Sequence, residues 1–303
     1  MRTTSQKVNG SRARYGNGLK RYVHAFAPKS RFHVATRALK SVIRAVQKDI
    51  HNLAIRFLWH PQDAEDATQE ILIRVLTGLG SFRGESGFRT WVYRVACNAL
   101  ITLRRQRMEQ QSLSFEQFGE DLAHGLSDTP LRIEDDASER VLLEEVKIGC
   151  TLAMLQCLDR DHRLAYILGE IMELDHIQAA EALETTPAAF RKRLSRARTS
   201  IISFMTAHCG LINSANACRC HRRVGTAVAL GRVDPSHLLF ATSQQPARRF
   251  PQVLTEIRQL EESRRAAALY RSHPEARTSG AFVVWLKKLL DEMPDRHPSD
   301  KAV

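Results

Sequence analysis

From Phe88 to Leu103, apolar residues recur at i, i+3, i+4 and i+7: Phe88, Trp91, Val92, Val95, Ala96, Ala99, Leu100 and Leu103. A strand has period two and cannot place these side chains on one side, whereas an amphipathic helix does. The same spacing runs through Leu39, Val42, Ile43, Val46, Ile50, Leu53 and Ile55, and again through Ala67, Ile71, Leu72, Val75, Leu76 and Leu79. Pro61 opens the second of these runs at the helical position where a missing N–H costs nothing. Asp63, Glu65 and Asp66 follow it and suit the positive end of the helix dipole. With 10 prolines and 15 glycines in 303 residues, helix breakers are scarce. The expected fold class is all-α.

Further helices are expected at about 140–159, 161–172, 252–269 and 280–292. Residues 174–205 predict a short helix, a tight turn and a longer helix. Residues 1–30 read as a basic disordered tail, 31–107 as a first helical domain and 108–139 as a flexible acidic linker. Residues 140–205 read as a second helical domain and 206–303 as a small helical C-terminal extension. The linker reading rests on the lack of a sustained period and on Gly119, Gly125 and Pro130.

The chain carries a net charge of +12, unevenly spread. Residues 1–60 are net +12, residues 109–145 net −9, and residues 186–223 net +8 with no acid at all. Two basic blocks flanking an acidic stretch imply separate surfaces for a polyanionic partner. No apolar run approaches the length of a membrane span, so no membrane partner is expected. The polar N-terminus lacks the apolar middle of a signal peptide. Six cysteines in a chain of this length do not make a disulfide scaffold, and a cytoplasmic location is expected.

The stretch "LDHIQAAEALETTPAAFRKRLSRARTSIISFM" has the punctuation of a helix-turn-helix. Leu174, Ile177, Ala180 and Leu183 give the first helix an apolar edge. Thr186 is a natural N-cap and Pro187 takes the first helical position. At 100° per residue, Phe190, Leu194, Ala197 and Ile201 share one side of the second helix. Lys192, Ser195, Arg196 and Thr199 point the other way, with Arg191 and Arg193 flanking. Such a helix fits a DNA major groove, where Arg and Lys meet guanine edges and phosphates. A merely solvated cationic face is the alternative, and the absence of acids across 186–223 argues against it.

"SFRGESGFRTWVYRV" crowds four aromatics and three arginines around two glycines. Rings and guanidinium planes stack on unpaired bases while positive charge follows the backbone. Phe88 and Trp91 lie on the apolar stripe and are expected in the core. The functional weight falls on the loop Ser81–Gly87 and on the polar face of Arg83, Glu85, Ser86, Arg89, Thr90, Arg94 and Asn98.

The order "DAEDATQEILIRVL", "SFRGESGFRTWVYRVACNAL", acidic stretch, then the helix-turn-helix closely resembles an extracytoplasmic-function sigma factor of bacterial RNA polymerase, in the sigma-70 family. The resemblance covers roughly residues 36–205. It implies a region 2 domain that binds core polymerase and recognises and melts the −10 element, and a region 4 domain that reads the −35 element. Asp63, Asp66, Gln69, Glu70 and Arg74 would line the helix that binds the β′ clamp coiled coil. Ser81, Arg83, Glu85 and Ser86 would form the loop that captures a flipped −10 base. Arg89, Thr90, Arg94, Asn98, Arg104 and Arg105 would contact the −10 DNA. Thr186, Arg191, Lys192, Ser195, Arg196 and Arg198 would face the −35 groove. The implied partners are core RNA polymerase, through the β′ clamp coiled coil and β flap, and promoter DNA, with an anti-sigma factor as a further candidate. Relatives usually carry Gly in the helix-turn-helix turn, often at positive φ, where this chain has Glu184.

"HCGLINSANACRCHRRV" places His208, Cys209, Cys218, Cys220 and His221 within fourteen residues. Such a set suits zinc or copper. Nearby Arg219, Arg222 and Arg223 would equally favour thiolates and a redox role, and a site-free local turn is the third reading. Cys97, Cys150 and Cys157 lie on or beside apolar faces and read as small core hydrophobes. There is no glycine-rich phosphate loop and no nucleophile–base motif in the right context, so no catalysis is expected. The reading is a promoter-recognition subunit, with a stand-alone helix-turn-helix regulator of transcription as the alternative.

Overall fold

The computed structural model describes residues 32–107, 113–127, 136–241 and 244–291. Among them are twelve α-helices, and the only β pairing is an isolated bridge between Cys209 and Cys218. The basic tail expected at 1–30 lies outside the described residues.

The first unit is α1 (Phe32–Leu58), α2 (Pro61–Gly78) and α3 (Phe88–Arg107). Pro61 stands at the start of α2, and Ala64, Ala67, Ile71, Leu72, Val75 and Leu76 are buried along it. They pack on Ile43, Ile50, Leu53 and Phe57 of α1 and on Val92, Ala96, Ala99 and Leu100 of α3 in one continuous core.

Within the stretch expected as a flexible linker, 108–139, residues 113–127 differ from expectation. Residues 113–127 contain α4 (Phe115–His124). Ser114 and Gln117 form a capping box, each side chain bonded to the other's backbone N–H. Phe115, Phe118 and Leu122 make a short apolar stripe, and Phe118 stacks on Phe204 with ring centroids 5.5 Å apart.

The second unit is α5 (Asp136–Gln156), α6 (Arg160–Tyr166) with a π-helical turn over 167–171, α7 (His176–Ala182) and α8 (Pro187–His208). Asp159, Asp175 and Thr186 cap α6, α7 and α8 by accepting N–H bonds from the first turn. Glu184, in the turn before α8, has φ of +48°. Ile177 was expected on the apolar edge of α7 but is 60% exposed. That helix packs instead through the small residues Ala179, Ala180 and Ala182, which let it approach α3 and α8 closely.

The extension comprises α9 (Cys220–Ala229), α10 (Gln244–Gln259), α11 (Glu262–Arg271) and α12 (Gly280–Asp291). The helix expected at 252–269 is two helices. Arg265 donates to Leu260 O at 3.0 Å and to Ile212 O at 3.3 Å, so the chain turns where α10 ends. The extension is anchored on both units. Glu145 of α5 accepts from the amides of Leu239, Phe240 and Ala241 at 2.8, 2.8 and 2.6 Å. Tyr270 donates to Thr151 O at 2.8 Å. On the first unit, Glu65 of α2 is buried and accepts from the Ser279 amide and hydroxyl, and Phe282 of α12 packs on His51.

Candidate nucleic-acid interface

The loop between α2 and α3 stands on a cluster of rings. Phe82 lies 5.5 Å from both Phe88 and Trp91, and Phe88 lies 5.8 Å from Trp91, centroid to centroid. Trp91 is buried, while Phe82 and Phe88 are half-buried. Above the rings, Ser81, Arg83 and Glu85 are exposed and Ser86 is half-buried. Gly84 sets the bend with φ of +74°, a conformation that favours glycine. The rings therefore brace the loop, the Ser81 hydroxyl donates to Gly78 O at 2.7 Å, and Arg83 and Glu85 stand exposed to a ligand.

Along α3, Arg89 and Asn98 are exposed and Arg94 is half-buried. Arg89 pairs with Asp49 of α1 at 2.8 Å, which holds its guanidinium beside the loop. Thr90 departs from expectation. It is buried in the first turn of α3, under Gly87, and presents nothing to solvent. The side chains of Arg104 and Arg105 lie outside the described residues.

All six positions expected to face the −35 groove are exposed on α8 or its cap: Thr186, Arg191, Lys192, Ser195, Arg196 and Arg198. Arg198 is tied to Glu170 and Arg193 to Asp161, the latter at 3.3 Å, so two of the cations are held at the flanks of the face. On α2, Asp63, Asp66, Gln69, Glu70 and Arg74 are all partly exposed, with Glu70 and Arg74 paired one turn apart. Glu65, between Asp63 and Asp66, is instead turned inward to Ser279.

The two units touch. α7 packs on α3, and Asn98 donates to the Glu184 carboxylate at 2.9 Å. Between the units is a groove of about 530 Å³ lined by Ile101 of α3, by Asp159, Asp161 and His162, and by Lys192, Arg193 and Arg196 of α8. Sequence spacing marks the two faces but carries no signal that they meet. The Asn98–Glu184 bond joins residues 86 positions apart.

The acidic segment does not cover either cationic face through Asp121. That carboxylate takes Arg223 at 2.9 Å and Arg232 at 2.6 Å, both from the extension, and the two guanidinium hydrogen bonds hold it below the usual carboxylate range.

The Cys/His patch divides. His208 packs its ring on Phe204 at 4.6 Å, and His221 is exposed. Cys209, Cys218 and Cys220 turn together toward Cys150 of α5, a residue expected to be plain core. All six cysteines are free thiols. Among the described residues, no three or more His, Cys, Asp or Glu side chains already stand in a geometry that would hold a metal ion. No described helix is long and apolar enough to cross a membrane.

Comparison with known proteins finds relatives of this chain. The Sigma-70 region 2 family model matches residues 42–109. The chain is 31% identical over 170 residues to the RNA polymerase sigma-H factor of Pseudomonas aeruginosa, covering 54% of this chain and 84% of that protein. It is 30% identical over 169 residues to RNA polymerase sigma factor YlaC of Bacillus subtilis, covering 56% and 92%. It is 27% identical over 168 residues to the ECF RNA polymerase sigma-E factor of Haemophilus influenzae, covering 54% and 86%. With an all-helical fold, a ring-braced basic loop, a cationic helix-turn-helix and relatives matched over most of their length, the chain belongs to the sigma-70 family of RNA polymerase sigma factors, in its extracytoplasmic-function group.

Proposed function

We propose that this sigma factor, acting with RNA polymerase in the cytoplasm, divides promoter recognition between its two units. The first unit, residues 31–107, holds polymerase through the α2 face of Asp63, Asp66, Gln69, Glu70 and Arg74. Its loop at Ser81, Arg83, Glu85 and Ser86 traps an extruded −10 base over the ring cluster. Arg89, Arg94 and Asn98 follow the strand. The second unit, residues 140–205, enters the −35 major groove with Arg191, Lys192, Ser195 and Arg196. Core polymerase would meet it through the β′ clamp coiled coil and the β flap.

The observation that carries this reading is the acid-free, exposed face of α8. A solvated helix mixes charges, whereas a groove-reading helix presents donors to phosphates and guanine edges.

The contact between the units must then open on promoter DNA. The two elements lie about 25 base pairs apart, or roughly 85 Å at about 3.4 Å per base pair. The groove between α3 and α8, about 530 Å³, holds no duplex. The Asn98–Glu184 bond thus belongs to the free protein.

The test is transcription in vitro with core polymerase, the full chain and promoter fragments. Run-off transcripts are expected. Arg83→Ala combined with Glu85→Ala should impair strand opening more than polymerase binding, and Asp66→Lys should do the reverse. Absence of transcripts together with promoter binding by the full chain alone would favour a stand-alone regulator and sink the proposal.

A further inference from the structure

Four cysteines from two distant parts of the chain, α5 and the stretch from the end of α8 to the start of α9, meet at one small cavity. Cys150 comes from α5, Cys209 is the C-cap of α8, Cys218 precedes α9, and Cys220 is the first residue of α9. Together they line a space of about 30 Å³. That is the size of one ion or one water, and too small for a cluster.

Three details separate this place from ordinary buried thiols. First, the backbone folds tightly around Cys209. The amides of Ile212 and Asn213 both donate to its carbonyl, at 3.2 and 2.9 Å, and wrap the chain around the residue. Gly210 permits this fold, since a Cβ there would meet Cys218 O at 2.1 Å. Second, two cations line the cavity, Lys147 and Arg223, each paired with a carboxylate outside the lining, Glu144 at 2.6 Å and Asp121 at 2.9 Å, and Cys220 sits at the positive end of a ten-residue helix. Third, neither imidazole of the patch lines it. The donor set is sulfur alone, which selects zinc among common divalent ions, and four protein ligands leave no open position.

We infer that Cys150, Cys209, Cys218 and Cys220 form a closed tetrathiolate site for one zinc ion, which staples the extension to the second unit. The sulfurs surround the cavity short of ligating geometry, so the ion would draw them inward. Binding exchanges four S–H bonds for four Zn–S bonds and releases four protons to solvent. The inference does not depend on how promoter DNA is read.

The full chain, purified without chelator, should contain one zinc per molecule by elemental analysis. After chelation, Co²⁺ should give the intense visible bands and sulfur-to-cobalt charge transfer of a tetrahedral tetrathiolate centre. Cys150→Ser should lose the bound metal, while His208→Ala, His221→Ala and Cys157→Ser keep it. If Cys150→Ser does not fold, the cobalt spectrum of the unmodified chain still decides, because four sulfurs and three sulfurs with one nitrogen absorb differently. A folded chain free of zinc that takes up no cobalt overturns the inference. So does metal kept by Cys150→Ser and lost by His221→Ala, or a Cys209–Cys218 disulfide found by mass spectrometry in the freshly isolated protein.

Discussion

Glu184 occupies a backbone position built for glycine. Its φ of +48° puts Cβ close to a carbonyl oxygen, at a cost of roughly 1 kcal/mol. What offsets that cost is the bond from Asn98, an exposed contact worth at most about 1 kcal/mol. Glu184→Gly should therefore leave stability unchanged or raise it by up to about 1 kcal/mol in urea denaturation. It should also weaken the contact between the units, read as a longer distance between fluorophores on α3 and α8. A marked loss of stability would mean that the bond, and not the backbone, dominates at this position. Thr90 teaches a related lesson. Its residue type suits a DNA contact, yet next to Trp91 and beneath Gly87 it is enclosed.

Among the elements, α4 is the one whose presence changes the architecture. If it is a docked helix, Ser114→Ala should cost about 1 kcal/mol by removing the cap. Phe118→Ala should cost about 3 kcal/mol by emptying its place against Phe204. Chemical denaturation of the full chain reads both, and a flexible linker would register neither. The α8 face and the α3 stripe are legible in sequence because each helix is long and its period repeats several times. By contrast, α4 spans 10 residues, so its stripe is only three residues deep and sits among acids that read as solvated chain. Its capping box, Ser114 with Gln117, is the local signal that marks it. Cys150 could not be grouped with Cys209, Cys218 and Cys220 from spacing, since it lies on a different helix and looks like any small apolar residue of α5. The ring cluster is partly legible: Trp91 falls on the stripe, whereas the role of Phe82 depends on the loop folding back.

At the scale of the whole molecule, two histidines, the buried His51 and the half-buried His273, sit where the extension meets the rest. His51 of α1 is held below its ordinary range by burial, which Glu65 partly counters and Arg56 reinforces. His273, beside Thr151 at 3.0 Å, is pushed far lower by burial and then by Lys147 and Arg56. In the unfolded chain both return to about 6.5. Because the folded values are the lower ones, the unfolded state binds more protons as pH falls. The contribution of these neutral imidazoles is thus complete above about pH 6.5 and declines below it. Melting temperature should drop between roughly pH 7 and pH 5, and His273→Gln should flatten the drop; an unchanged slope would clear His273 of any part in it. The two units also share Arg163, which is 1% exposed. It donates to Leu155 O at 2.6 Å, Gln156 O at 2.9 Å, Gln156 Oε1 at 2.7 Å and Leu158 O at 2.7 Å, all within its own corner. Only one arm crosses, to Phe57 O at 3.0 Å. When the halves part, the guanidinium keeps its four home acceptors and gives up Phe57 O, which Gln156 Nε2 also reaches at 3.4 Å. The corner around Arg163 is thereby kept whole, and what resists separation is the apolar core that the two halves share.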